Sequence, residues 1–390
     1  MTADPTLSAR DLEAELESAG ALPATWRDEF RATPRHLFIP DDVWTEAPGG
    51  WRRLSRLTEP DVWWEMVGRD GYIVTQVDDG RPADPDHGEY STSSASQPSL
   101  VLRMLDELHA EPGTRVLEIG TGTGYNAALL AARLGPGNVT TVEVDPRLAE
   151  RARQALARVG RPVRVITADG AAGHPPHAPY DRIIATASVQ RVPAAWIEQT
   201  RPGGIILTPW GNAYHNDALL RLTVHEDGTA SGPFAGRAPF MWMRDARVLL
   251  GTLSDHVHDG DAPDVSTTDL DLCDMFGRPD VDFAIGVQVP GVSWHRFDAD
   301  DGSGEFTVWL IDVETGGRSW ASVDFEGNAV HRVEQYGPRR LWDEVAAAYR
   351  TWLGHGRPGV TRFGMTVLPD GRHQVWLDAP SMSSWAPVRY

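Results

Sequence analysis

Apolar residues along this chain recur at two spacings, and the switching between them predicts its architecture. From Gln97, PSLVLRMLDEL carries apolar residues at helical spacing. The short apolar runs RVLEIG, VTTVEV, VRVITA, DRIIAT and GGIILTPW then follow one another, separated by helix-like stretches. Strand and helix in alternation predict an α/β fold with a doubly wound, mainly parallel sheet. ALLRLTVHEDGTASG reads next as a hairpin around Asp227 and Gly228.

The flanks carry other patterns. LSARDLEAELESAG places Leu7, Leu12 and Leu16 near helical spacing, with Gly20 as a stop. A second helix is expected over TWRDEFRA, then an extended PRHLFIP pinned by Pro34 and Pro40. Residues 41–90 mix Trp44, Trp51, Trp63 and Trp64 with polar and loop-forming residues, and read as irregular structure that either covers a site or buries an aromatic patch. HVHDGDAPDVSTTDLD, rich in Asp, Gly, Pro and Thr, reads as a loop or linker. Beyond it lie the strand-like DFAIGVQV, EFTVWLIDV and SWASVDF, the helix LWDEVAAAYRTWL, and a hairpin, MTVLPDGRHQVWL. Three parts are therefore expected: an N-terminal helical and substrate-covering region, 1–90; an α/β domain, 91–240; and a Trp-rich C-terminal α+β domain, 241–390.

Composition narrows the functional classes. Thirty-six basic against fifty-five acidic residues give a formal charge of −19, which disfavours nucleic acid. No eighteen-residue apolar run is present, so no membrane helix is expected. An acidic, polar N-terminus and the single Cys273 fit a cytoplasmic protein without disulfides. His256 and His258 lack further ligands at metal spacing, and no metal is expected.

The chemistry concentrates in VLEIGTGTGYN. Gly120, Gly122 and Gly124 lie between a strand and a helix former, where glycine permits positive φ and close approach of a ligand to the main chain. The next strand ends at Glu143, where a carboxylate can accept two ribose hydroxyls; the third ends at Asp169 and Gly170, placed to meet an adenine. The third glycine comes one position too early for a dinucleotide fingerprint, and E-x-G-x-G-x-G with two following acids favours S-adenosylmethionine. Each residue also has a plain structural role open to it: Glu143 as a surface acid, Asp169 as a strand-ending turn, and Ser96 as the cap of the helix that starts near Pro98.

PRHLFIP, SASQP, VLEIGTGTGYNAALLA, VEVD, ADG, HAPYDRIIATA and RPGGIILTPWG, in that order between about residues 25 and 225, resemble the protein-L-isoaspartate O-methyltransferase family of class I methyltransferases. The resemblance implies a Rossmann-like methyltransferase domain that binds S-adenosyl-L-methionine and releases S-adenosyl-L-homocysteine. It puts Gly120, Gly122 and Gly124 under the methionine part of the cofactor, Glu143 at the ribose, Asp169 and Gly170 at the adenine, and Glu118 beside the loop or the cofactor amino group. Ser96 takes the place of the family's active-site serine.

The chain also departs from that pattern. It continues for about 150 residues past the family's usual end, and RIIATASVQRVP replaces a glycine- and alanine-rich loop. Extended, Trp-rich relatives resemble enzymes that modify ribosomally made peptides. That likeness implies methylation of an aspartate in a cyclised precursor peptide, the ester closing to an aspartimide that persists or hydrolyses to isoaspartate. Repair of isoaspartate in damaged proteins is the alternative expectation. Seven of the fifteen tryptophans fall between Trp294 and Trp385, and are expected either to grip the peptide or to fill the core.

Overall fold

The computed structural model describes residues 5–248, 251–314, 318–382 and 385. The chain divides into two compact units. The first comprises residues 1–187, 193–207 and 223–226; the second comprises 188–192, 208–222 and 227–390.

The first unit opens with α1 (Pro5–Ser18), which buries Leu12 and Leu16 and ends at Gly20 with φ +65°. The expected second helix is a three-residue 3-10 turn followed by α2 (Arg27–Arg31). PRHLFIP is not extended throughout: Arg35–Phe38 form a 3-10 turn between the two prolines. Residues 41–90 are likewise more regular than their composition suggests. They contribute β1 (Asp42–Ala47), β2 (Gly50–Ser55), α3 (Pro60–Val67), β3 (Ile73–Val77) and β4 (His87–Gly88). With β5 (Ser91–Ala95) these strands form an antiparallel sheet in the order β4-β2-β1-β3-β5. Its small core holds Val43, Leu54, Trp63, Val67, Ile73 and Ala95.

After α4 (Pro98–Glu107) the expected alternation appears: β6 (Val116–Ile119), α5 (Tyr125–Leu134), β7 (Val139–Glu143), α6 (Pro146–Arg158), β8 (Arg164–Thr167), β9 (Tyr180–Ala185), α7 (Ala194–Glu198) and β10 (Thr200–Gly211). The strands are parallel and ordered β10-β9-β6-β7-β8. β6 has β7 on one side and β9 on the other, so the winding reverses there. In open α/β sheets such a switch point, outside the carboxyl ends of the strands, is where ligands bind.

The second unit contains β11 (Asn216–Val224) over most of its length and β12 (Ala230–Arg237), the expected hairpin. The segment read as a linker holds β13 (Asp264–Thr268). DFAIGVQV is no strand: α8 (Leu272–Met275) and α9 (Pro279–Gly286) occupy this region, and every residue of α9 from Val281 to Gly286 is buried. β14 (Val292–Asp298), β15 (Phe306–Asp312), β16 (Trp320–Phe325) and β17 (His331–Tyr336) form an antiparallel sheet with β13 in the order β13-β17-β16-β15-β14. α10 (Leu341–Gly354) packs on it. The final hairpin, β18 (Phe363–Val367) and β19 (His373–Leu377), pairs through β18 with β12. No helix among the described residues is long and apolar enough to cross a membrane.

Candidate functional site

The glycine loop sits at the switch point. Gly120, Gly122 and Gly124 all have positive φ, +91°, +53° and +87°, so each takes a conformation costly for other residues. A Cβ at Gly120 would come within 2.9 Å of Thr186 Oγ1, the hydroxyl that donates to the Gly120 carbonyl at 2.6 Å from the end of β9. The two strands flanking the switch point are thereby tied together. At Gly122 a Cβ would meet nothing nearer than the Ser94 carbonyl at 3.6 Å and Ser93 Oγ at 3.9 Å. The serine-rich strand β5 therefore lies against the loop, two residues short of Ser96.

Glu143 is buried at the end of β7. Its Oε2 accepts from the Gly122 N–H at 2.9 Å and its Oε1 from the Asp145 N–H at 3.0 Å. A carboxylate offers about four acceptor positions. Asp145 caps α6 through the N–H groups of Arg147 and Leu148 and accepts from Gln76 Nε2 at 3.1 Å. Gln76, in β3, makes a second tie between the N-terminal sheet and this end of the parallel sheet. The stretch expected to cover a site thus meets the loop region at Ser94 and at Gln76.

Glu118 is fully buried beneath the loop. Its Oε1 accepts from Asn126 Nδ2 at 2.7 Å, while Oε2 makes no hydrogen bond of ordinary geometry. The Thr141 hydroxyl is near enough to lower the carboxyl's pKa, but is engaged with Thr121 at 2.7 Å. Burial dominates and pushes the carboxyl up to about 7, with the Glu143 charge adding to it.

Asp169 is exposed and caps a 3-10 turn, its carboxylate accepting from the Ala171 N–H at 2.9 Å; Gly170 is buried, and its carbonyl accepts from Trp196 Nε1 at 2.8 Å. The turn reading of Asp169 therefore holds, with the second carboxylate oxygen left to other partners. Ser96 is half-buried between β5 and α4. It does not cap α4, whose N-cap is Gln97; the N–H of Ser99 donates instead to Asp70 Oδ1 at 2.8 Å. Arg35, at 4% exposure, donates to the carbonyls of both Ala95 and Ser96. Arg35 and Asp70 went unread in the sequence. Arg35 stands inside PRHLFIP, which was the available signal; Asp70 had none.

The arrangement suits a nucleoside sulfonium cofactor. A backbone cradle of left-handed glycines after β6 lies beside a buried acid at the end of β7, with an exposed acid past the end of β8 further along the sheet and an orphaned buried carboxylate oxygen below. Together with the reversal at β6, this defines the class: a methyltransferase fold of the class I type.

Comparison with known proteins takes the assignment further. The sequence model described as Protein-L-isoaspartate(D-aspartate) O-methyltransferase (PCMT) matches residues 85–240. The Protein-L-isoaspartate O-methyltransferase of Methanoculleus marisnigri is 33% identical over 239 residues, which are 60% of this chain and 92% of that protein. That of Ignicoccus hospitalis is 47% identical over 116 residues, 29% of this chain and 55% of its own length. This chain belongs to the protein-L-isoaspartate O-methyltransferase family. A solved protein-L-isoaspartate O-methyltransferase, 20% identical with a TM-score of 0.55, aligns over 95% of this chain and 100% of its own, so the shared fold extends beyond residue 240.

Proposed function

We propose that the protein transfers a methyl group from S-adenosyl-L-methionine to a carboxylate of an isoaspartyl residue in a polypeptide. The observation that carries this reading is the packing of β5 against Gly122, which brings the segment leading to Ser96 beside the glycine loop. When bound, the cofactor supplies a methyl group on a sulfonium that departs as a neutral thioether. Gly120, Gly122 and Gly124 would hold its methionine part, Glu143 the ribose, Asp169 and Gly170 the adenine, and Glu118 the amino group.

The protein's own task is alignment. An acceptor carboxylate is ionised at neutral pH and needs no general base. Ser96 donates a hydrogen bond to that carboxylate, fixing one oxygen as the nucleophile, and the N-terminal sheet shields it from water. Ser96→Ala should lower turnover roughly 10- to 1,000-fold with little change in cofactor affinity. Normal turnover by this variant would remove Ser96 from the reaction.

A narrower reading keeps the same donor site but makes the acceptor an ordinary aspartate of a cyclised ribosomal peptide, the ester closing to aspartimide. What supports it is the five-stranded sheet whose last strand leads into Ser96 on the acceptor side. Mass spectrometry of both substrates, each incubated with the protein and cofactor, decides between the readings. Methylation of a simple isoaspartyl peptide is the expected result. Methylation or dehydration confined to a cyclised aspartyl peptide would overturn it.

A further inference from the structure

Arg35 is a buried cation without an ion pair among the described residues. The two terminal nitrogens of its guanidinium donate to five main-chain carbonyls, while its buried Nε–H has no hydrogen-bond partner. Three lie at the end of α3 and in the turn after it: Val67 at 3.5 Å, Arg69 at 3.1 Å and Gly71 at 2.6 Å. The other two are Ala95 at 3.4 Å and Ser96 at 3.2 Å. An apolar side chain of similar volume would leave those carbonyls without their donors, so the cation stabilises the place where these segments meet. A planar cation does one thing that an apolar side chain does not: it holds several carbonyls of separate segments around one point.

Asp70, in the middle of the same turn, works from the other side. Its Oδ1 accepts from the Ser99 N–H at 2.8 Å and its Oδ2 from Gln97 Nε2 at 2.9 Å, while its own N–H donates to Glu15 Oε2 at 3.2 Å. α4 thus receives both its cap and a negative charge at its N-terminus from a residue 28 positions before its first. Residues 95, 96, 97 and 99 are each gripped by one of these two side chains. Arg35 also acts electrostatically on the hydroxyl of Tyr125, the residue that begins α5 directly behind the glycine loop.

We propose that Arg35 and Asp70 are positioning residues for Ser96, a clamp that sets the acceptor oxygen against the methyl donor without touching either reactant. The inference rests on the reading of Ser96 given above. Displacement of an acceptor group by about 1 Å is enough to cost on the order of 100-fold in rate.

The test uses the full-length protein, S-adenosyl-L-methionine and an isoaspartyl peptide, with the variants Ser96→Ala, Arg35→Lys, Asp70→Asn and each of the last two combined with Ser96→Ala. Arg35→Lys and Asp70→Asn should lower kcat roughly 10- to 100-fold, keep S-adenosyl-L-homocysteine affinity within about 3-fold, and add less than about 3-fold to the loss already caused by Ser96→Ala. Losses that multiply in full in the Ser96→Ala background, or normal kcat in the single variants, would overturn the clamp. A normal Ser96→Ala enzyme would instead overturn the reading beneath it. Hydrogen exchange of the ligand-free variants gives a second readout that needs no substrate. The amides of Ser96, Gln97 and Ser99 should exchange faster in Asp70→Asn while those of 120–124 keep their protection, and unchanged exchange at these three residues removes the clamp whatever the acceptor. Should Arg35→Lys fail to fold, Asp70→Asn and its double variant carry the same comparison.

Discussion

Two buried carboxyls at the switch point have opposite prospects. Glu143 receives two main-chain N–H groups and sits at a strand end, so its charge is matched before any ligand arrives. Glu118 has one amide partner and an orphaned oxygen, and burial pushes it up to about 7 from an ordinary 4.5. Between those values the folded chain holds a proton that the unfolded chain releases. The resulting stabilisation is complete below about pH 4.5 and is lost as pH rises through 7. Glu118→Gln keeps the Asn126 contact and removes the titration. Its melting temperature should therefore gain on the parent's as pH is raised from 5 to 8.5, by an amount equivalent to roughly 1–3 kcal/mol. A pH-independent difference in a thermal-shift series would show that Glu118 is already ionised in the folded state. Glu143→Ala should weaken S-adenosyl-L-homocysteine binding roughly 10- to 150-fold by calorimetry, the equivalent of losing about 1.5–3 kcal/mol of charged hydrogen bonding. Affinity equal to the parent's would take the ribose away from Glu143. The spacing of Glu143 and Asp169 after the glycines was legible in the sequence because each stands at or just past the end of its own strand. Arg35 and Asp70 were not, because their partners are main-chain atoms of segments that composition does not bring together.

At the level of elements, the strand-to-helix turn from Ile119 to Tyr125 carries the site, and its three glycines differ in what they tolerate. Gly120→Ala adds a methyl 2.9 Å from Thr186 Oγ1 at a φ of +91°, so strain and crowding coincide. It should destabilise the protein by about 1–3 kcal/mol and disturb the tie between β6 and β9. Gly122→Ala meets no atom within 3.5 Å, and its φ of +53° lies in the left-handed region at a smaller penalty. It should be the milder change in melting temperature, yet still obstruct a ligand laid on the loop, visible as lost S-adenosyl-L-homocysteine binding. If both variants bind as the parent does, the loop is not the ligand's bed. The parallel strands were readable here because they are apolar runs bounded by turn residues. β5 was not, since STSSA presents no hydrophobic face and earns its place through the Gly122 contact and pairing with β3. α9 failed for the opposite reason. It is apolar nearly all round, so periodicity cannot separate it from a buried strand.

The whole molecule divides differently from a simple succession of domains along the chain. Residues 188–192 and 208–222 belong to the second compact unit with 227–390, although the sequence places them in the middle of the methyltransferase pattern. The reason is aromatic. Phe283, on α9, packs 4.8 Å from Phe234 and 5.2 Å from Phe363, measured between ring centroids, and Trp210 lies 5.5 Å from Phe234. One core therefore joins β10, β12, α9 and β18. Five of the seven C-terminal tryptophans, Trp320, Trp342, Trp352, Trp376 and Trp385, are buried, with Trp294 and Trp309 half-buried. Their concentration is accounted for mainly by packing, which leaves little of the aromatic surface expected to grip a peptide. A chain cut near residue 260 would leave Trp210 and Phe234 without Phe283 and Phe363. Such a truncation should aggregate, and its inactivity would say nothing about recognition. A point substitution separates the roles cleanly. Phe283→Ala should cost about 3–5 kcal/mol of stability in denaturant unfolding, through the cavity it opens in this core. S-adenosyl-L-homocysteine affinity at 15 °C should stay within about 2-fold of the parent's, because none of the proposed cofactor contacts lies in the second unit. A large loss of affinity in a folded Phe283→Ala protein would show that this aromatic core supports the donor site as well as its own unit.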